Sequence, residues 1–282
     1  MAAKLKVHFW GVRGSIPSPG KNTSRYGGNT SCISVHFDEN RFLVLDAGTG
    51  IREFGKTIAG RDTEILILMS HAHWDHIQGF PFFIPIYQSR RKVKALISGV
   101  NERVIRMLLE QMDGAHFPVQ SDKLPSEVSW IDDEHVSRLI GNGPVISRIP
   151  TNHPGGSVAF RIDNQGKSVV YLTDNELDPP YPKVTEFEGF AKFCREADIL
   201  IHDAQYLESD MPYKHGWGHS LASQACALAA AAEVKHLVLY HHDPDRTDEE
   251  LDAIQEESRR WFAEKKLPIL CTAAWEGLQL EL

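Results

Sequence analysis

The chain has 282 residues, 42% of them apolar and 24% charged, and a formal charge of −8 with histidine neutral. That apolar content is enough for a packed core and argues against intrinsic disorder. The acidic balance gives no indication of a broad basic face for nucleic acid, so phosphate recognition, if present, is expected to be local and metal-assisted.

In chain order, residues 7–10, 31–37 and 41–45 read as strands, rich in β-branched and aromatic side chains. A loop dense in Gly, Pro, Ser and Asn, residues 11–30, separates the first two. Residues 65–69 form an apolar run with strand character, and residues 92–98 alternate as a strand does. Helical spacing of Val104, Ile105, Leu108 and Leu109 predicts a helix over 101–112, with Asn101 as N-cap. Residues 114–142 are aperiodic and read as irregular cover. Strands at 157–162 and 168–172 flank Asn164-Gln165-Gly166-Lys167, a hairpin signature. Helix, strand, helix and strand follow at 186–197, 198–202, 220–233 and 236–240. Thr247 opens a long amphipathic helix with Glu250 as its capping-box partner. From Leu267 the tail returns to strand. No linker, repeat or low-complexity tract divides the chain, so one domain over 1–282 is expected.

Cys32, Cys194, Cys226 and Cys271 are scattered, form no Cys-x-x-Cys pair and read as reduced thiols. No signal-peptide block and no run of transmembrane length is present, so the expected compartment is the cytoplasm and no membrane partner is expected.

The chemistry concentrates in His71-Ala72-His73-Trp74-Asp75-His76, directly after the 65–69 strand. Three imidazoles and a carboxylate in six residues give the nitrogen and oxygen donors that zinc and similar divalent ions prefer. Other polar residues recur where apolar runs end: Asp46, His153, Asp174, Asp203 and His241. At one edge of a sheet, such residues converge on a single site. Asp46 is read as an orienting carboxylate for the histidine loop. Trp74 reads as packing. Phe80, Phe82, Phe83 and Tyr87 read first as core, with a ring-binding wall as the alternative.

With His153, Asp174 and His241 downstream, the HAHWDH motif resembles the metallo-β-lactamase-fold hydrolases, in their phosphodiesterase and tRNase Z-like branch. The likeness covers nearly the whole chain. Gly11-Val12-Arg13-Gly14-Ser15, Gly27-Gly28-Asn29-Thr30-Ser31, Leu45-Asp46-Ala47-Gly48-Thr49-Gly50, Asn152-His153-Pro154-Gly155-Gly156 and Gly218-His219-Ser220 carry it in order. The resemblance implies an α/β fold, a four-layer αββα sandwich, with two divalent metal ions. By the same resemblance, His71, His73 and His153 bind one ion, Asp75, His76 and His241 the other, and Asp174 bridges them. His242, adjacent to His241, stays open as the alternative ligand. Nitrogen-rich ligation suits zinc, with manganese or iron as alternatives. A water or hydroxide at the dinuclear centre is then the nucleophile.

Asp75, Asp203 and His219 are the expected catalytic residues. The resemblance places His219 at the scissile phosphate or leaving oxygen, oriented by Asp203, where that family carries Glu. Arg13, Ser15, Asn29 and His215 are candidate substrate contacts; the first three also suit a plain tight glycine loop. The leading expectation is a phosphodiesterase for a small or cyclic phosphodiester, with a nucleotide among the substrates. The alternatives are a tRNase Z-like endoribonuclease, a thiolester or lactam hydrolase, and a non-catalytic metal-binding module. tRNase Z commonly carries a tRNA-gripping arm between the metal histidine and the bridging aspartate. Here only a short hairpin separates His153 from Asp174, which counts against tRNA. The resemblance also admits a homodimer.

Overall fold

The computed structural model describes residues 5–61, 63–89, 91–97, 103–131 and 144–282. The chain divides into two compact units. The first comprises Met1–Pro17, Asn29–Gly143 and Glu276–Leu282; the second comprises Ser18–Gly28 and Pro144–Trp275.

Among its described residues, the first unit carries a seven-stranded sheet. Its strands are β1 (Lys6–Gly11), β2 (Cys32–His36), β3 (Phe42–Leu45), β4 (Ile65–Met69), β5 (Lys92–Ile97), β6 (Glu127–Ile131) and β13 (Gln279–Glu281), in the order β13-β1-β2-β3-β4-β5-β6. Pairing is antiparallel from β13 to β3 and parallel from β3 to β6. All five residues of β4 are buried, as expected of a central parallel strand written as an unbroken apolar run. Helices α1 (Ile51–Ile58), α2 (Trp74–Ile77) and α3 (Arg103–Glu110) accompany this sheet. Ile51, Phe54 and Ile58 of α1 share a core with Ile65, Ile67 and Met69 of β4 and with Phe80 and Phe83.

A six-stranded sheet organises the second unit, among its described residues. It is built from β7 (Val145–Thr151), β8 (Ser157–Asn164), β9 (Lys167–Leu172), β10 (Ile199–Asp203), β11 (His236–Tyr240) and β12 (Leu270–Ala273), in the order β12-β11-β10-β9-β8-β7. Strands β7 to β9 pair antiparallel, and β9 to β12 pair parallel. Helices α4 (Phe187–Cys194), α5 (Ala222–Ala231) and α6 (Asp248–Glu264) contribute Phe190, Cys226, Leu251 and Phe262 to its core. The β8–β9 turn places Gln165 at φ 51° and Gly166 at φ 78°, the doubly left-handed turn that matches strand twist.

Most predicted elements stand, with shifted ends. Helix α5 starts at Ala222 because Ser220 is used elsewhere: its hydroxyl donates to Asn175 O at 2.6 Å and accepts from Leu177 N. The tail is strand as read, in two pieces that belong to different sheets. Strand β6 and helix α1 are additions to the sequence reading. Ser98, the proposed cap Asn101 and residues 132–142 of the expected irregular cover lie outside the described residues. Trp74 is 79% exposed, so its reading as packing is corrected. The four cysteines are free and buried. No described helix is long and apolar enough to cross a membrane.

Candidate metal centre

In the first unit, the chain leaves β4 at Met69 and turns through Ser70 into the histidine motif, which closes as the short helix α2. Buried Asp46, just beyond β3, anchors that turn. It sits at φ 59°, a left-handed conformation that costs a non-glycine residue energy and tends to mark functional positions. Its Oδ1 accepts from Ser70 N at 2.7 Å, and its Oδ2 accepts from Ser70 Oγ at 2.7 Å and from His76 Nδ1 at 2.8 Å. The His71 ring centroid lies 4.5 Å from that of His73 and 4.3 Å from that of His76. His76 Nε2 stands 3.3 Å from Asp75 Oδ2, which also accepts from Ser15 N at 2.7 Å. Gly48 permits the packing: a Cβ there would lie 2.3 Å from Asp75 O.

In the second unit, three strand ends and two loops supply the polar side chains. Asp174 lies just past β9 and His241 just past β11, at φ 47° and 60°, so the backbone turns sharply at both. His241 Nε2 is 3.3 Å from Asp174 Oδ1, and His153 Nε2 is 3.6 Å from Asp174 Oδ2. His219 Nδ1 donates to Asp203 Oδ2 at 2.6 Å, and the His219 ring stacks on His241 at 5.0 Å. The ligand atoms of Asp203, His219 and His241 all fall within 4.8 Å of one another, and all three residues are buried. His242 is employed differently: its ring nitrogen donates to Ala274 O at 2.8 Å, and its edge meets Tyr26.

The hydrogen bonds on the far side of these rings fix what the near side offers. His153 Nδ1 faces the Gly218 carbonyl at 2.9 Å, His241 Nδ1 faces Gln205 Oε1 at 2.9 Å, and His76 Nδ1 faces Asp46. Each partner only accepts, so each Nδ1 carries a proton and Nε2 is the nitrogen turned away from it, toward the carboxylates. In each case Nε2 stands within 3.6 Å of a carboxylate oxygen, a nitrogen–oxygen pairing that a cation, proton or metal ion, holds together. Nitrogen and oxygen donors held in this way suit a divalent ion, and the buried acceptors behind them are what tunes such ligands.

Among the proposed substrate contacts, Arg13 is fully buried beside Thr30, and Ser15 directs its backbone N–H at Asp75. Asn29 is held by Glu276, which accepts from its backbone N at 2.6 Å and its Nδ2 at 2.8 Å. His215 bonds Asp178 O and, with His219, lines a cavity of about 230 Å³ in the second unit. The sequence reading missed Ser70, Gln205 and Glu176. Glu176 is buried and accepts from Gly216 N at 2.8 Å and Gly218 N at 2.9 Å, fixing the loop that leads into His219. The signal for it was the polar run Thr173-Asp174-Asn175-Glu176 directly after an apolar strand.

The chain matches the β-lactamase superfamily domain over residues 41–242. Among curated relatives it is 35% identical to ribonuclease Z of Thermoplasma volcanium, over 94% of this chain and 95% of that one. Ribonuclease Z of Thermoplasma acidophilum is 25% identical, over 94% of each chain. Solved structures resemble it along almost its whole length. The metallo-β-lactamase-fold protein YhfI from Bacillus subtilis has a TM-score of 0.69 at 17% identity, covering 99% of this chain and 100% of that one. The short form of human tRNase Z has a TM-score of 0.58 at 20% identity, covering 98% of each chain. A metal-dependent hydrolase with the α/β sandwich of the metallo-β-lactamase fold is the class these features define. Within that class, the chain belongs to the β-lactamase superfamily, in its ribonuclease Z-like branch.

Proposed function

We propose that this protein is a metal-dependent phosphodiesterase that hydrolyses a small or cyclic phosphodiester. The observation that carries the reading is the Asp203–His219 pair, bonded at 2.6 Å and clustered with His241. A carboxylate-steered imidazole is suited to proton transfer to a leaving oxygen. His71, His73 and His153 are assigned to one ion, Asp75, His76 and His241 to a second, and Asp174 to both. His241 is preferred to His242 because it is His241 whose Nε2 meets Asp174. The donor set suits zinc, and manganese or iron fit the same mixture. Two divalent ions, when bound, supply a nucleophile at neutral pH and offset charge on the phosphate. In the reaction, a water oxygen bonds phosphorus and the bond from phosphorus to the leaving oxygen breaks. His219, with Nδ1 committed to Asp203, delivers a proton from Nε2 to that oxygen, and the water proton is released.

A second reading is processing of precursor tRNA, and similarity supports it at least as well, since relatives across the full length are named ribonuclease Z. Against it stands the short connection from His153 to Asp174, which is the β8–β9 hairpin with no inserted arm. The deciding experiment offers metal-quantified protein bis(p-nitrophenyl) phosphate and a precursor tRNA in parallel, using wild type, Asp174→Ala and His219→Ala. We expect turnover of the small diester by wild type, loss in both variants, and metal retained in His219→Ala. Cleavage of the tRNA with no turnover of the small diester would put the second reading first.

A further inference from the structure

Within the first unit, a cavity of about 740 Å³ opens beside the histidine motif. Trp74, Phe82, Met107 and Phe117 form its apolar wall, and Glu110 and Asp113 stand among its polar lining residues. The aromatic cluster after the motif separates by burial. Phe80 and Phe83 are fully buried in the core, whereas Phe82 is 56% and Trp74 79% exposed. Phe82 meets Phe117 edge to face at 5.4 Å. Large aromatic rings left this exposed forgo burial that packing would otherwise supply, and they do so together around one concavity. Trp74 is also tied by the chain to the chemistry, since it lies between His73 and Asp75 at the first position of α2.

We propose that this cavity is the subsite for a nucleobase of the substrate, with Trp74 and Phe82 as its specificity-determining residues. The proposal rests on the phosphodiesterase reading and adds to it a substrate class: phosphodiesters that carry a nucleoside. Aromatic faces accept any planar ring, because every base has a π-face. The acidic residues argue for a base over a second phosphate. Asp113 accepts from Ala115 N, His116 N and His116 Nδ1, and those bonds hold its carboxyl down at about 2, so it stays negative at neutral pH. With Asp113 engaged by His116, which also lines the cavity, Glu110 is the carboxylate placed to accept from the N–H edge of a base, and the acidic pair disfavours a second anion there.

The test has a binding arm and a turnover arm. Calorimetric titration of adenosine into wild type should show binding that weakens about ten-fold or more in Trp74→Leu and in Phe82→Ala, the scale of one base–aromatic stack. Both side chains are mostly exposed, so both variants are expected to fold. In the turnover arm, the ratio of kcat/KM for thymidine 5′-(p-nitrophenyl phosphate) to that for methyl p-nitrophenyl phosphate should fall by a similar factor in each variant. No adenosine binding to wild type, or equal binding by all three proteins, would overturn the subsite. A wild-type dimer that Phe82→Ala converts to a monomer would also overturn it, by giving the wall to a second copy. If wild type hydrolyses neither diester, the phosphodiesterase reading fails, while the adenosine titration still decides the subsite.

Discussion

Asp46 shows how much of the candidate centre depends on residues that would touch no metal. It is fully buried, and its two oxygens accept three hydrogen bonds, one of them from His76 Nδ1. Asp46→Asn keeps the shape, removes the charge and can turn an N–H toward a donor. We expect metal affinity to drop about 10- to 100-fold, as for other partners of ligating histidines. Competition with a chromogenic chelator measures it, and unchanged affinity would leave Asp46 only a structural role. The histidine motif, Asp174 and Asp203 were legible in sequence because each closely follows an apolar strand, and His219 because Gly218-His219-Ser220 resembles a family motif. Gln205 and Ser70 were not, because a single amide or hydroxyl carries no spacing signal. The position of Trp74 was misjudged because a sequence gives the identity of a ring but not the side it faces.

At the level of elements, segments with a clear cap, period or apolar run were read well, whatever their length. Helix α6 was legible from its cap: Glu250 N donates to Thr247 Oγ1 at 3.2 Å, and Thr247 N donates to Glu250 Oε2 at 2.8 Å. Thr247→Ala should therefore cost about 1 kcal/mol, read as a lower urea midpoint at unchanged slope. An unshifted midpoint would mean that water replaces the cap without loss. Helix α1 escaped because Gly55 sits in its interior, and strand β6 because it lies in a stretch otherwise without period. Strand β2 adds a pH dependence that no pattern announces. Burial, more than the nearby charges of His8, Arg61 and Lys6, pushes the His36 imidazole down to about 4. The folded state then binds fewer protons than the unfolded state between pH 6.5 and 4, so stability falls as pH drops through that window and levels off below it. The loss is roughly 2–3 kcal/mol after allowance for solvent at this half-buried ring. In His36→Gln, which can still bond Ser34, the urea midpoint should change less between pH 7 and pH 4.5. An equal change in both proteins would assign the acid sensitivity to other groups.

For the molecule as a whole, the question is what offsets so many polar groups buried at strand ends. His153, Asp174, Asp203, His219, His241 and, in the first unit, Asp46, His71, Asp75 and His76 are all buried. Removing such groups from water costs energy unless each finds a partner of opposite charge or a hydrogen bond. Several also sit at left-handed φ, which adds strain. A folded chain carrying this load is stabilised by a cation that binds the folded state and not the unfolded one. The expectation is quantitative: at free metal near 100 times the dissociation constant, the gain is about 2.7 kcal/mol per site. Stripping with a chelator should lower Tm by several degrees, and adding back zinc or manganese should restore it in a concentration-dependent way. Asp174→Ala separates the two contributions. It removes the carboxylate that two histidine Nε2 atoms face, so the apo form should lose less, or gain, relative to wild type, while the metal-dependent rise in Tm should shrink. A wild-type Tm that ignores both chelator and added metal would mean that protons, not metal ions, settle these pairs. The dinuclear assignment would then fall, although membership of the superfamily would remain.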